Sequence, residues 1–315
     1  MRYSRQTILK EIGEENQKKL LASKVVIVGL GATGSSSAEL LARAGVGTLI
    51  LIDRDVVELS NLQRQSLFSE SDIGKPKAVA ARDAIHSINN EIKVDAYPID
   101  LSDENSNILE ADLILDCTDN LFTRFLINDY CKKNKKPWIY AAVVGTKGMT
   151  MNFLPAHKVC FNCIFKMVEG LDTCSTVGIL NTAPSAISAF QVTEALKILT
   201  GQKPSKDLIH MDLWKQTFEK IKVAADKKCT VCKGNYEYLL GKKQEIIKFC
   251  GSGTYQIKGK FDYEELKRKL SKVGKIQDAG VCFRFSAMTI FPDRVIIKAE
   301  TEEEAKVMYS QVVGN

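Results

Sequence analysis

An apolar strand, a glycine-rich turn and a helix follow one another at Val25-Val26-Ile27-Val28, Gly29-Leu-Gly31-Ala-Thr-Gly34 and Ser35 to Ala44. That order commits the chain to open as a βαβ unit. Glycines in such a turn let the backbone approach phosphate closely. The helix start behind them offers N–H groups without partners and a partial positive charge. A second apolar strand, Thr48-Leu-Ile-Leu-Ile52, ends at Asp53, nineteen residues past Gly34, where an acid is placed to hold ribose hydroxyls.

The alternation continues. Lys77 to Ile88 reads as a helix, Val94 to Ile99 as a strand, and Leu113-Ile-Leu-Asp116 as a strand ending in the acidic loop Asp116-Cys-Thr-Asp119-Asn120. Leu121 to Lys132 is helical, Trp138 to Val143 is a strand, and Met149 to Leu154 pairs nearby. The expected fold is α/β, with a Rossmann-like, mostly parallel sheet. After Ala183-Pro184, the apolar spacing of Ser185 to Leu199 predicts a long buried helix closed by Gly201 and Pro204. Ile209 to Leu213 and Thr217 to Val223 then extend the sheet as an antiparallel pair. Residues 6 to 22, carrying Ile8, Leu9, Ile12, Leu20 and Leu21 among polar residues, predict one amphipathic helix leading into the first strand. Gly241-Lys-Lys-Gln reads as a linker that divides residues 1–240 from residues 245–315. The tail reads as strand, helix (Tyr263 to Leu270), strand (Val281 to Phe285), strand (Arg294 to Lys298) and helix (Glu303 to Val312), a small α+β domain.

With 315 residues there is material for a large core and one appended small domain. No apolar run approaches the roughly 20 residues that span a bilayer, and no apolar signal segment follows Met1-Arg-Tyr-Ser-Arg5, so a cytoplasmic protein without a membrane partner is expected. The net charge of +6 comes from Lys and Arg interleaved with Glu and Asp rather than clustered. Nucleic acid is therefore not the expected main partner, whereas a small acidic protein fits.

The cluster Asn61-Leu-Gln-Arg64-Gln65 sharpens the reading of the turn. A resting redox cofactor rarely needs Arg, Gln and then Lys77 aimed at its phosphates, whereas a phosphate whose bond is breaking does. Arg64 offers a forked donor set, and Lys77 follows Gly74-Lys75-Pro76 at a helix start, where a cation gains nothing from the helix dipole. Asp119 sits where open α/β sheets put their ligands and could hold Mg²⁺. Asp116 and Asn120 are alternatives for that role, and the competing reading of Asp119 is a helix cap.

Nine cysteines in a chain of this kind are metal ligands or nucleophiles rather than a disulfide framework. Cys160-Phe-Asn-Cys163 and Cys229-Thr-Val-Cys232 are two CxxC knuckles with 65 residues between them, suited to a closed, structural four-thiolate Zn²⁺ site. His157 could replace one ligand. Zinc would clamp a lobe around residues 155–185. Cys174, in the polar stretch Asp172 to Gly178, has the setting of a nucleophile able to take an acyl group from an adenylate. The sequence shows neither a nearby base nor a cause for a lowered pKa, so an incidental thiol stays equally open. Cys117, Cys131 and Cys282 read as core, and Cys250 as a small buried residue before a turn.

Arg2-Tyr-Ser-Arg5-Gln6, the glycine turn, Asp53-Arg-Asp55, Ser60-Asn-Leu-Gln-Arg64-Gln65, Gly74-Lys-Pro-Lys77, Asp116-Cys-Thr-Asp119-Asn120 and the paired CxxC knuckles together closely resemble the ThiF/MoeB family over roughly residues 1–235. These are ubiquitin-activating-like enzymes that adenylate the C-terminal glycine of small ubiquitin-fold sulfur carriers or modifiers. The resemblance implies a homodimer with two ATP sites, the arginine matching Arg5 reaching into the neighbouring site. It implies that Gly29, Gly31, Gly34, Asp53, Asp55, Asn61 and Asn120 line the nucleotide, that Arg64, Gln65 and Lys77 contact phosphates, and that Asp119 serves Mg²⁺. Cys174 matches a loop cysteine that some relatives use in thioester or persulfide chemistry. The implied partner is a carrier ending in Gly-Gly, with a conjugating or sulfur-donating protein downstream. About 75 residues follow the point where typical bacterial forms end, and they are too short for the rhodanese domain of sulfurating eukaryotic relatives.

Other readings make different demands. An NAD-dependent oxidoreductase needs the turn and Asp53 but leaves Arg64, Lys77 and the cysteines unexplained. A silent scaffold subunit would be expected to have lost several of those groups, and relatives that adenylate tRNA-bound amino acids typically lack the zinc. Thiocarboxylate formation and protein conjugation are both open.

Overall fold

The computed structural model describes residues 2–166, 177–242, 254–259 and 261–314. The chain divides into two compact units, residues 1–73 with 77–244, and residues 74–76 with 245–315.

The larger unit is built on an eight-stranded sheet: β1 (Lys24–Val28), β2 (Thr48–Ile52), β3 (Lys93–Tyr97), β4 (Leu113–Asp116), β5 (Trp138–Val144), β6 (Lys147–Phe153), β7 (Leu208–Asp212) and β8 (Thr217–Ile221), in the order β3-β2-β1-β4-β5-β6-β7-β8. Pairs from β3 through β5 are parallel, and β6, β7 and β8 add antiparallel pairs. The Val/Ile/Leu runs of β1, β2 and β4 are buried on both faces, as central parallel strands require. Successive strands leave β1 toward β2 and then, from β4, on the other side. The order therefore reverses between β1 and β4, and Val28 stands level with Ile52 on one side and Asp116 on the other. A crevice outside the carboxyl ends of strands at such a reversal is where open α/β sheets bind ligands.

Helices cover both faces: α1 (Ser4–Thr7), α2 (Gly13–Ala22), α3 (Ala32–Ala44), α4 (Lys77–Ile88), α5 (Leu121–Asn134), the short α6 (Phe161–Ile164) and α7 (Thr182–Leu199). One core joins β1 and β2 to α3, α4 and α7; the other packs Phe125, Trp138, Phe153 and Phe161 beneath α5. α3 starts inside the glycine turn, three residues earlier than periodicity suggests, and stops at Gly45 in the left-handed region at φ 83°. The single helix expected over residues 6–22 is instead two. α1 ends at Thr7, residues 8–12 run as turns, and Gly13, which opens α2, adopts φ 59° with its N–H closing a turn on Leu9 at 2.8 Å; Ile8 and Leu9 stay exposed rather than joining an apolar face.

The smaller unit comprises β9 (Thr254–Lys258), α8 (Tyr263–Ser271), β10 (Ile276–Asp278), β11 (Phe283–Phe285), β12 (Met288–Ile290), β13 (Arg294–Lys298) and α9 (Glu302–Val312). Its sheet runs β10-β11-β12-β13-β9, antiparallel throughout. β10 and β12 were not expected. Leu266, Leu270, Phe283, Ile290, Val295 and Ile297 form its core. Among the described residues, no helix is long and apolar enough to cross a membrane.

Candidate active site

At the strand-order reversal the glycine turn lies directly against the acidic loop. Gly29 has φ 85°, and a Cβ built on it would stand 2.8 Å from the Cys117 carbonyl oxygen; one on Gly34 would stand 1.9 Å from the Gly29 carbonyl oxygen. Any side chain at either position would push turn and loop apart. Gly31 differs, because its Cβ position meets nothing within 4 Å. It caps α3 without a side-chain hydrogen bond, which leaves the first amides of the helix free of a local cap.

Asp53, at the end of β2, is nearly buried and accepts from Leu30 N at 2.5 Å and from Asp55 N at 2.7 Å, tying β2 to the turn. Burial pushes its pKa up to about 6. Lys77 and the two amides oppose that rise, and Asp55 adds to it. Lys77 opens α4 with its ammonium 3.1 Å from Asp55 Oδ2. Burial works against that charge, but Asp55, Asp53 and Asp119 outweigh it and raise the pKa. The lysine that looked out of place at a helix start is therefore held by the chain's own acids, Asp55 nearest.

The Asn61–Gln65 cluster lies on a 3₁₀ turn (Leu59–Asn61) and the loop after it. Asn61 Oδ1 accepts from Glu58 N at 3.1 Å, and the half-buried Arg64 donates to Ser60 O at 2.8 Å. Gln65 is buried, and its Oε1 has no partner among the described residues.

The acidic loop separates its roles. Asp116 is fully buried; its Oδ1 accepts from Thr118 N and Oγ1, and its Oδ2 faces Arg124 Nε at 3.3 Å. Asn120 is the cap of α5, accepting from Phe122 N at 2.7 Å and Thr123 N at 3.3 Å. Asp119 is thereby spared the cap and stands exposed.

Two positions that sequence reasoning missed hold this loop. Arg124 is buried over the Tyr140 ring, pairs with Asp116 and donates to the Thr118 carbonyl. Gln191, wholly buried on α7, donates to the carbonyls of Asp116 and Ile139. A glutamine between Phe190 and Val192 on a long helix expected to be buried was the available signal; Arg124 offered none.

Arg5 is not brought to this crevice. α1 packs at the far end of α3, where Gln6 Nε2 donates to Ala44 O at 2.9 Å, and the thirteen residues of α3 put that end about 20 Å from the turn. Cys174 and Cys250 lie outside the described residues. Cys117, Cys131 and Cys282 are buried as expected.

The four remaining cysteines converge. The Sγ atoms of Cys160, Cys163, Cys229 and Cys232 all lie within 4.8 Å of one another, with Cys160–Cys163 at 3.8 Å, Cys160–Cys229 at 3.5 Å, Cys163–Cys232 at 3.6 Å and Cys160–Cys232 at 3.4 Å. A tetrahedron of thiolates with arms of about 2.3 Å has edges of about 3.8 Å, so the set could bind zinc with no open position for water. His157 takes no part in the cluster.

Comparison with known proteins gives concordant results. The ThiF family pattern matches residues 3–231. The chain is 39% identical over 289 residues to the sulfur carrier protein ThiS adenylyltransferase of Bacillus subtilis, covering 89% of this chain and 85% of that one. Coverage that wide extends beyond the larger unit, so that relative shares at least part of the smaller one. The SAMP-activating enzyme E1 of Haloferax volcanii is 35% identical over 73% of this chain and 88% of its own. The crystal structure of Escherichia coli MccB with ATP superposes with a TM-score of 0.65 at 26% identity, over 74% of this chain and 73% of that one.

Proposed function

The chain belongs to the ThiF family, and from that membership we propose that it is an adenylyltransferase that uses ATP to activate the C-terminal glycine of a small ubiquitin-fold sulfur carrier. One observation carries the reading: the turn with its uncapped amides, the Asp53–Lys77–Asp55 cluster and the exposed Asp119 meet at a single strand-order reversal.

In this reading the turn and the α3 amides receive phosphate, and Asp53 and Asp55 lie at the ribose end. Asn61, Arg64, Gln65 and Lys77 line the phosphates, with Asn120 shaping the loop. The fit for Mg²⁺ rests on Asp119, an exposed carboxylate whose charge both Lys77 and Arg124 feel; the ion would neutralise phosphate charge there. The carrier carboxylate, ionised at neutral pH, forms a bond to the α-phosphorus as the bond from that phosphorus to the bridging oxygen breaks, and pyrophosphate leaves. No protein base is needed. Arg64 and Lys77 stabilise charge building on the leaving group. Arg5, at the far end of α3, acts in the site of the second copy of a homodimer. The four cysteines hold structural zinc, and the acyl group passes from the adenylate to the Cys174 thiolate as a thioester, or to the nucleophilic sulfur of a donor or conjugating partner, with AMP leaving in either case.

ATP–pyrophosphate exchange with Mg²⁺ tests the proposal, run with a ubiquitin-fold carrier ending in Gly-Gly and with the same carrier lacking its last glycine. Exchange that requires the intact tail supports it. Exchange absent with every such carrier moves the weight to a tRNA-bound amino acid or a scaffold.

A further inference from the structure

We propose that Gln191 is a positioning residue of the nucleotide site, setting how closely the glycine turn and the acidic loop approach each other. The inference rests on the reading of this crevice as an ATP site. Gln191 Nε2 donates to Asp116 O at 3.1 Å and Ile139 O at 3.2 Å, while Oε1 accepts from Ser37 Oγ at 2.8 Å and Cys117 Sγ at 3.3 Å. A glutamine amide offers two N–H donors and two acceptor sites, so this one is used in full. Its partners belong to four separate pieces of the site: the end of β4, β5, α3 and the acidic loop. One turn earlier on α7, Ser188 donates to Thr33 O at 2.8 Å, adding a second tie from the same helix face to the start of α3.

Contact passes this constraint to the ligand side. Cys117 supplies the carbonyl 2.8 Å from the Cβ position of Gly29, and its own Cβ lies 3.1 Å from that of Gly34. A shift of Asp116 or Cys117 therefore moves the turn or carries Asp119, two residues on, away from it. The Cys117 thiol donates to the amide oxygen. An amide suits the position because it can donate to two carbonyls without carrying charge. A carboxylate there would face those carbonyls beside the buried Asp116, and burial would raise its own pKa.

Gln191→Glu in the intact chain separates positioning from packing. ATP binding is measured by calorimetry at pH 6 and pH 8 against wild type, with thermal melting alongside. Loss of at least one charge-sensitive buried hydrogen bond is expected to weaken binding about tenfold at pH 8. The deficit shrinks at pH 6, where the protonated acid returns one donor. Ser37→Ala, which keeps the amide but removes one of its partners, should bind about three- to fivefold more weakly at both pH values, and it carries the test if Gln191→Glu does not fold. Binding within twofold of wild type at both pH values by folded Gln191→Glu, or by Ser37→Ala in its place, overturns the proposal whatever the melting temperature does. A wild-type chain that binds no ATP overturns the reading of the crevice itself.

Discussion

Lys77 Nζ rests 3.1 Å from Asp55 Oδ2, and the same ammonium opposes the rise in the pKa of Asp53. One lysine thus serves both the charge balance of its own chain and, in the proposed reaction, that of pyrophosphate. Lys77→Met should lower ATP–pyrophosphate exchange by about a hundredfold or more. It should also move the titration of Asp53 upward from about 6, read as the midpoint of the pH dependence of ATP binding.

Asp53 itself gives a pH signature. Its folded-state pKa of about 6 lies above the ordinary value of 3.8, so its contribution to stability is fully present below 3.8 and is lost as pH rises through about 6. In the proposed site the carboxylate is the form that accepts ribose hydroxyls, so ATP affinity should run the other way, strengthening as pH climbs through about 6. Comparing wild type with Asp53→Asn isolates this step from the titration of ATP; a step of equal size in both proteins would sink the assignment.

A second buried acid acts on stability alone. Asp129 on α5 is fully buried; its Oδ2 accepts from Tyr238 N at 3.0 Å and Leu239 N at 3.4 Å, and Oδ1 has no partner among the described residues. Burial raises its pKa to about 7. The neutral acid is the stabilising form, so the melting temperature should decline as pH rises from about 4 to about 7. Asp129→Asn keeps an acceptor for the two amides and should flatten that decline.

The cysteine cluster predicts about one zinc per chain by elemental analysis. Cys229→Ser should lower that content sharply and destabilise the protein, because the free energy of binding at a structural thiolate site is spent on folding. Full zinc content in both Cys229→Ser and Cys160→Ser would show that the metal sits elsewhere.

Arg64→Ala and Asp119→Ala should each abolish exchange, whereas Cys174→Ala should spare exchange and block only transfer after it. Loss of exchange in a folded Cys174→Ala protein would mean that adenylation and transfer are not separate steps.

The sheet and most of its helices were readable because buried parallel strands are continuous apolar runs and their connecting helices keep a 3.6-residue period. The turn, Asp53 and the paired knuckles were readable because each depends on residue type at short spacing. Gln191 was not, since what makes it matter is distant in sequence: its partners lie between 52 and 154 residues away. Arg124 was not because its pairing with Asp116 crosses a loop whose path no periodicity gives. The division of labour between Asp119 and Asn120 also escaped, because two adjacent polar residues compete equally for a cap until backbone geometry chooses. The break over residues 8–12 ends at a left-handed glycine, Gly13, that helical periodicity does not register.

α7 binds the turn and the acidic loop yet follows both in the chain by more than sixty residues. During synthesis, β1, α3, β2 and β4 leave the ribosome well before the helix that fastens them together. On the proposed reading of the crevice, competence to hold a nucleotide is therefore expected to arrive late, when residues through Leu199 have emerged and docked. A truncated product ending before α7 would carry every side chain proposed to face the nucleotide in its own crevice and still lack the ties from Ser188 and Gln191.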